Sequence, residues 1–243
     1  MFSESTELYD FIYSEFKNFN EEASQIAALL KEKCPEARRL LDVGCGTGRH
    51  AAALIGEHGY EVDGLDIESG FLEIARVRCP DGNFFRGDMA SFDLGSTYDA
   101  VLCLFSSIGY VRTLERLVLA ARSIRRHVAP GGVAIIEPWF TPEVFRGGAV
   151  HMTVVDREEL KISRVNRTEI RDGVSWMDFQ YLVADPHEIR HLREIHELGL
   201  FTVAEMHEAL GAGGFREVEF DPQGLTGRGL YLARTDLGNE REP

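Results

Sequence analysis

Residues 39–48, Arg-Leu-Leu-Asp-Val-Gly-Cys-Gly-Thr-Gly, restrict the fold of this chain more than any other stretch. An apolar run at 39–43 has the length of a buried strand, three glycines alternate after it, and 49–57 carry helical spacing. A turn built on Gly44, Gly46 and Gly48 can adopt backbone conformations that a Cβ forbids, so the chain passes from strand to helix without a longer loop. Such a unit opens an α/β domain. It also brings backbone N–H groups and the positive end of a helix close to a polar ligand.

The alternation continues along the chain. Strand 60–65, helix 69–78, strands 83–86 and 98–104, helix 113–128 and strand 132–137 follow, with Pro130-Gly131-Gly132 read as the turn before the last of these. After residue 200 come helix 202–211 and strands 215–220 and 228–234. Short helices between buried apolar strands predict an α/β fold with a doubly wound, mostly parallel, seven-stranded Rossmann-like sheet. Ahead of it, helices are expected at 5–17, on a stripe of Leu8, Phe11, Ile12, Phe16 and Phe19, and at 21–33. Residues 150–200 lack helical spacing. Their β-branched and aromatic runs at 152–155, 160–170, 174–183 and 189–200, with Arg171-Asp172-Gly173 as a hairpin turn, predict an antiparallel insertion. The expected organisation is one domain over 1–243, with a helical N-terminal cap at 1–34 and a β insertion at 140–200.

A formal net charge of -14 disfavours a nucleic-acid partner, since phosphate contacts need clustered cations. No apolar run is long enough for a bilayer, so no membrane partner is expected, and Met-Phe-Ser-Glu-Ser-Thr-Glu lacks the parts of a signal peptide. A cytoplasmic protein is the expectation. Cys34, Cys45, Cys79 and Cys103 are scattered and read as free thiols. His187, His191 and His196 with Glu188 and Glu194 resemble a metal cluster. On a strand, however, His196 has the opposite parity to the other two, and no metal is expected.

The ligand class follows from one acid. Dinucleotide sites use G-x-G-x-x-G, whereas this run is D-x-G-x-G-x-G, with Asp42 ahead of the turn. A carboxylate there repels a pyrophosphate and suits an ammonium, and S-adenosylmethionine carries an ammonium, a sulfonium and a ribose. Asp66, ending the second strand, is placed to accept ribose hydroxyls. Asp88 and Met89, after the third, are placed to meet the amine and the face of an adenine. Ser106 and Ser107 lie at a strand end without G-x-S-x-G, which argues against a nucleophile.

These motifs, with Phe-Ser-Ser-Ile-Gly-Tyr at 105–110 and Pro-Gly-Gly-Val at 130–133, resemble class I S-adenosylmethionine-dependent methyltransferases. Phe-Ser-Ser-Ile-Gly with Glu-Pro-Trp at 137–139, Val-Ala-Asp-Pro at 183–186 and Gly-Arg-Gly-Leu at 227–230 narrow the resemblance. They are similar to the N,N-dimethyltransferases that act on TDP-3-amino-deoxysugars of macrolide pathways. The resemblance implies that Gly44, Cys45, Gly46 and Gly48 wrap the methionine part, Asp66 holds the ribose, and Asp88 and Met89 meet the adenine, with Ile67 also in the cofactor site. Leu104, Phe105 and Ser106 would line the cofactor. It places Tyr9, Tyr13, Trp139, Arg164 and Arg228 around the substrate, with Tyr110 and Glu137 positioning its amine. Arg164, Arg167 and Arg228 are the cations for a sugar nucleotide's phosphates. Two departures stand near the expected entrance. Lys17-Asn18-Phe19-Asn20 replaces the family's Gly-Lys-Asp-Tyr, and Tyr110 takes a place that some members fill with His. The resemblance implies deoxysugar biosynthesis by methyl transfer, leaving S-adenosylhomocysteine, and a homodimer is compatible with it. The alternatives are methylation of another small amine or hydroxyl, a sensor of the cofactor without turnover, and a dinucleotide oxidoreductase.

Overall fold

The computed structural model describes residues 6–235. A 3-10 turn at Thr6–Leu8 leads into α1 (Tyr9–Tyr13), and α2 (Phe19–Lys33) follows. The chain then alternates through β1 (Arg39–Val43), α3 (Arg49–His58), β2 (Glu61–Asp66), α4 (Ser69–Arg78), β3 (Phe84–Arg86), β4 (Tyr98–Cys103), α5 (Leu114–His127) and β5 (Val128–Ile136). Next come β6 (Val150–Asp156), β7 (Lys161–Arg171), β8 (Val174–Ala184) and β9 (Ile189–Gly199), then α6 (Val203–Ala212), β10 (Glu217–Asp221) and β11 (Leu230–Arg234).

Among the described residues, one sheet has seven strands in the order β10-β11-β5-β4-β1-β2-β3. Strands β3, β2, β1, β4 and β5 run parallel, while β11 is antiparallel to β5 and to β10. Successive residues of β1 serve opposite cores. Leu40 packs with Ile26 and Leu30 of α2, Leu54 of α3 and Leu72 of α4, whereas Leu41 and Val43 pack with Ile124 of α5 and Met206 of α6. A strand covered on both faces must be apolar on both, which is why neighbours of opposite parity, Leu40 and Leu41, are both leucine. From β1 the chain proceeds outward to β2 and β3 on one side and to β4 and β5 on the other. The carboxyl ends of β1 and β4 are therefore the switch point at which such sheets bind ligands.

The second sheet, in the order β6-β7-β8-β9, is antiparallel throughout. Asp172 and Gly173 both have positive φ, 49° and 75°, as the tight turn joining β7 to β8 requires. The inner face of this sheet, including Ile162, Phe179, Tyr181 and Val183, packs with Leu8 and Ile12. One residue along from each, Tyr9 and Tyr13 turn to a different side, with ring centroids 5.0 Å from Phe71 and 5.1 Å from Phe105 respectively. The short α1 thus stands between the two sheets.

Two local expectations are corrected. The helix at 5–17 shrinks to Tyr9–Tyr13, residue 5 lying outside the described residues. The chain must turn after Tyr13 so that the Asn18 side chain can accept the Glu21 N–H at 3.2 Å and cap α2. Phe11 and Phe16, counted in the apolar stripe, are exposed. Pro130-Gly131-Gly132 is a bulge inside β5: the register against β4 jumps from Tyr98↔Val128 to Ala100↔Val133, with Gly131 at φ 76°. Among the described residues, no helix is long and apolar enough to cross a membrane.

Candidate active site

Two loops meet at the switch point. The first is the glycine turn. The N–H groups of Gly44 and Cys45 both donate to the Leu65 carbonyl, at 2.7 and 3.1 Å, which ties the turn to the end of β2. Asp66 completes the tie, one carboxylate oxygen accepting the Gly46 N–H at 2.8 Å and the other the Glu68 N–H at 2.9 Å. Burial raises the Asp66 pKa, with those two N–H groups working in the opposite sense. Gly44 has φ 76°, and a Cβ there would stand 2.6 Å from the Ser107 Cβ, so the turn is closed to any larger residue.

The second loop follows β4. Phe105 and Ser106 both hold left-handed backbones, φ 51° and 61°, without being glycine. Strain of that kind persists only where the surroundings impose it. Here Glu137 Oε2 accepts the Phe105 N–H at 2.6 Å, and the Ser106 hydroxyl donates to the Pro138 carbonyl at 2.7 Å. The twist turns Ser106 inward and presents Phe105 and Ser107 to the space in front of the glycine turn.

That space is a cavity of about 500 Å³, within the range of small-molecule sites. The structure brings to its wall Gly44, Gly46, Asp66, Ile67, Asp88, Met89 and Phe105 from the cofactor set. Tyr9, Tyr13, Tyr110, Trp139 and Arg228 join them there. Cys45 and Leu104 line a smaller adjoining space of about 30 Å³.

Six expected residues are elsewhere. Asp42 is buried beneath the turn, where desolvation raises its pKa to about 6. Gly48 packs against α4, its Cβ direction ending 3.1 Å from the Ala75 Cβ. Ser106 faces Pro138, and Ser107 takes the wall position instead. Glu137 is fully buried; besides Phe105 it accepts the Thr226 hydroxyl and, at 3.2 Å, an Arg228 guanidinium N–H. Arg164 is buried inside the second sheet, its guanidinium 5.3 Å from the Tyr13 ring and 5.1 Å from Phe179. Arg167 lies on the outer face, paired with Glu169.

Homology converges on the same cavity. A family model described as a methyltransferase domain matches residues 40–132, which hold both loops. The chain is 40% identical to a dTDP-3-amino-3,4,6-trideoxy-alpha-D-glucopyranose N,N-dimethyltransferase of Streptomyces venezuelae, over 93% of this chain and 95% of that one. It is 38% identical to a dTDP-4-amino-2,3,4,6-tetradeoxy-D-glucose N,N-dimethyltransferase of Saccharopolyspora spinosa, over 93% of this chain and 90% of that one. It also superposes with a TM-score of 0.84 on a solved amino pentose methyltransferase of Micromonospora echinaspora with S-adenosylmethionine bound. That match has 37% identity and covers 93% of this chain and 95% of that one. The chain belongs to this family of S-adenosylmethionine-dependent N-methyltransferases.

The residues present fit that cofactor. A cradle closed to a Cβ at Gly44, a half-buried carboxylate at the end of β2 and an acid beside an apolar Met89 match the methionine chain, ribose and adenine of the ligand in kind. In this methyltransferase Asp88 is already engaged. Its carboxylate accepts the Ala90 N–H at 2.9 Å and Arg116 at 2.7 and 2.9 Å; these contacts lower its pKa although partial burial works against them.

Several wall and support residues escape sequence reasoning. Arg112, Arg116 and His196 line the cavity. Asp10 on α1 accepts the Thr47 hydroxyl at 2.7 Å and the Arg49 side chain at 3.0 Å, and pairs with Arg78, so it clamps α1 onto the glycine turn. Its place one residue after Tyr9 was the available signal. Lys17, in the departing stretch, pairs with Glu22 and lies 4.0 Å over the Phe105 ring. The imidazoles do not converge: His191 faces outward to Gln180 and His196 inward to Tyr110.

Proposed function

We propose that this methyltransferase acts on the amine of a TDP-linked amino-deoxysugar. The observation that carries the reading is Arg228. It lines the same cavity as the glycine turn, sits between Gly227 and Gly229, both at positive φ, and keeps a buried Nε without a hydrogen-bond partner among the described residues. A guanidinium held by Glu137 with donors to spare suits an anion such as a diphosphate. The net charge of -14 makes a local cation necessary for such a ligand, and it favours a small molecule over a nucleic acid. Relatives of similar identity are named for 3-amino and for 4-amino sugars, so the position of the amine is read from experiment.

When bound, S-adenosylmethionine supplies a methyl group already activated as a sulfonium. The chain's own part is alignment and exclusion of water. Asp66 and the Gly44–Gly46 backbone fix one side; Tyr9, Tyr13, Phe105 and Trp139 enclose the other; Arg228 holds the remote anionic end of the acceptor. Holding two reactants at attack distance supplies roughly 7–11 kcal/mol of the barrier reduction. We further propose that the described fold acts as one domain, and that the enzyme is cytoplasmic and dimeric. A second copy would cover the outer face of the second sheet, where Val150, Met152, Val154, Val165 and Leu182 are exposed and charges such as Arg193 and Asp178 are paired in plane. Sedimentation equilibrium giving the monomer mass would remove the dimer.

The test is incubation with S-adenosylmethionine and a TDP-3-amino-deoxysugar, followed by mass spectrometry of the sugar nucleotide. One and two methyl increments are expected. Arg228→Lys keeps the charge beside Glu137 but loses the fork. It should raise the sugar-nucleotide KM about tenfold or more while leaving cofactor affinity unchanged, since a charge-assisted hydrogen bond is worth about 1.5–3 kcal/mol. An unchanged KM would retire the phosphate assignment. Binding of cofactor with no methylated sugar would send the search to other amines and hydroxyls, or to a sensor.

A further inference from the structure

Behind Tyr110 lies a chain of titratable groups for which methyl transfer as described above has no use. Tyr110 Oη stands 2.7 Å from Nδ1 of His196. The other nitrogen of that ring, Nε2, stands 3.5 Å from Oε2 of Glu194, and Glu194 also accepts the Tyr181 hydroxyl at 3.3 Å. His196 is 1% exposed and Glu194 5%, yet both Tyr110 and His196 line the cavity. The chain therefore starts at the wall of the site and runs into the second sheet, with the Phe179 ring set edge-on against the imidazole at 5.0 Å. Position 194 shares the inward parity of 196, so β9 delivers both groups to the same side.

The protons can be placed. An ionised Glu194 only accepts, so the imidazole proton belongs on Nε2, facing it. Nδ1 is then a lone pair, and Tyr110 is the donor of the short bond. Burial lowers the His196 pKa, with Glu194 opposing, and burial raises that of Tyr110, so both groups rest neutral.

We propose that Tyr110 and His196 form a proton relay serving the acceptor amine, an inference that rests on the amino-sugar reading above. Methylating a neutral amine yields an ammonium, and a second transfer to the same nitrogen requires that ammonium to lose a proton first. In the relay an N–H bond of the ammonium breaks and an O–H bond forms on Tyr110 as the original hydroxyl proton moves to His196 Nδ1. The phenol stays neutral, the amine recovers its lone pair, and the imidazolium is met by Glu194. The relay is reset when the phenol gives its proton to water in the cavity and recovers one from His196 Nδ1, so the proton ends in solvent. A relay of this kind lets both methyl groups be added without the singly methylated sugar leaving to lose its proton in water.

The experiment uses the full chain with S-adenosylmethionine and a TDP-3-amino-deoxysugar, following singly and doubly methylated products from about pH 6 to about pH 9, across the imidazole range. The groups facing the relay are Glu194 on β9, Tyr181 on β8, Arg164 on β7, Tyr9 and Tyr13 on α1 and Asp66 on β2, so the comparison is between variants rather than with an isolated imidazole. His196→Asn keeps an acceptor for the Tyr110 hydroxyl but cannot carry a proton, and Tyr110→Phe removes the first link. Both should lower the rate of the second methylation about a hundredfold near pH 6.5, in line with general acid–base catalysis. Singly methylated sugar should accumulate, and the rate should recover as pH rises. A His196→Asn profile matching the wild type, or a loss equal at every pH with a raised KM, would overturn the relay and leave the acceptor assignment standing. Wild-type protein that methylates no amino sugar would overturn the acceptor assignment and the relay with it.

Discussion

Gly44→Ala is expected to lose about a hundredfold or more in affinity for S-adenosylmethionine, whereas Gly46→Ala loses about tenfold. Both positions hold left-handed backbones, φ 76° and 54°, so each substitution carries a strain of about 1–2 kcal/mol. The difference is space. A Cβ on Gly46 has no neighbour within 4 Å, while one on Gly44 stands 2.6 Å from the Ser107 Cβ and 2.8 Å from its hydroxyl. Relieving that overlap adds about 1–3 kcal/mol and must displace either the turn or the loop after β4. Either movement breaks the cradle, because Gly44 and Cys45 share the Leu65 carbonyl and Asp66 holds Gly46. Summed, the terms reach about 3 kcal/mol, a factor of about a hundred in Kd. Calorimetric titration separates the two variants, and a thermal melt shows whether each is folded. Equal affinities for the two would mean that crowding against Ser107 does not govern the cradle.

The parts of this molecule that were legible in the sequence are those encoded by local chemistry. Glycines at 44, 46 and 48 announce a backbone that only they adopt freely, and β1 announces its two covered faces by apolar side chains of both parities at 40, 41 and 43. The β-branched and aromatic run at 174–183 gave β8, and Asp172-Gly173 gave the turn before it. What escaped depends on depth or on distant pairing. Arg164 lies on the inward parity of β7 with Ile162 and Asn166, but parity does not say how far from the cavity an inward residue lies, and Arg164 stops behind Tyr13 and Phe179. Ser106 and Ser107 are indistinguishable in sequence. The left-handed backbone at 105 and 106 sends one to Pro138 and the other to the cavity, and that twist is imposed by a carboxylate 32 residues away. The short α1 was overread because its apolar stripe was counted past Tyr13, where the need to cap α2 takes over.

That carboxylate supplies the second large effect. Glu137→Ala should lower stability by about 3–5 kcal/mol, the usual result of removing one member of a buried ion pair. For a chain of this size the shift is about 10 °C in Tm. Glu137 has no exposure to solvent, and the Arg228 side chain has only 14%, so the deletion leaves a guanidinium, the Phe105 N–H and the Thr226 hydroxyl without their acceptor at once. Glu137→Gln keeps one oxygen, which can accept the Phe105 N–H, and puts its NH2 where Thr226 and Arg228 found an acceptor; the Thr226 hydroxyl can turn to accept from it, so the loss should be smaller than in the alanine, about 1–3 kcal/mol. Function should follow the same ranking through geometry. Phe105 forms part of the cavity wall only while its strained backbone is held, and Arg228 faces the cavity only while its charge is met from behind. The sugar-nucleotide KM should therefore rise in both variants, more in the alanine. Scanning calorimetry with steady-state kinetics decides between this account and direct chemistry at the amine. A Glu137→Ala protein that melts within about 2 °C of the wild type, less than 1 kcal/mol of change, yet loses kcat at unchanged KM, would show the carboxylate acting on the reacting nitrogen. Its burial behind Phe105 and Arg228 argues that the first outcome is the one to expect.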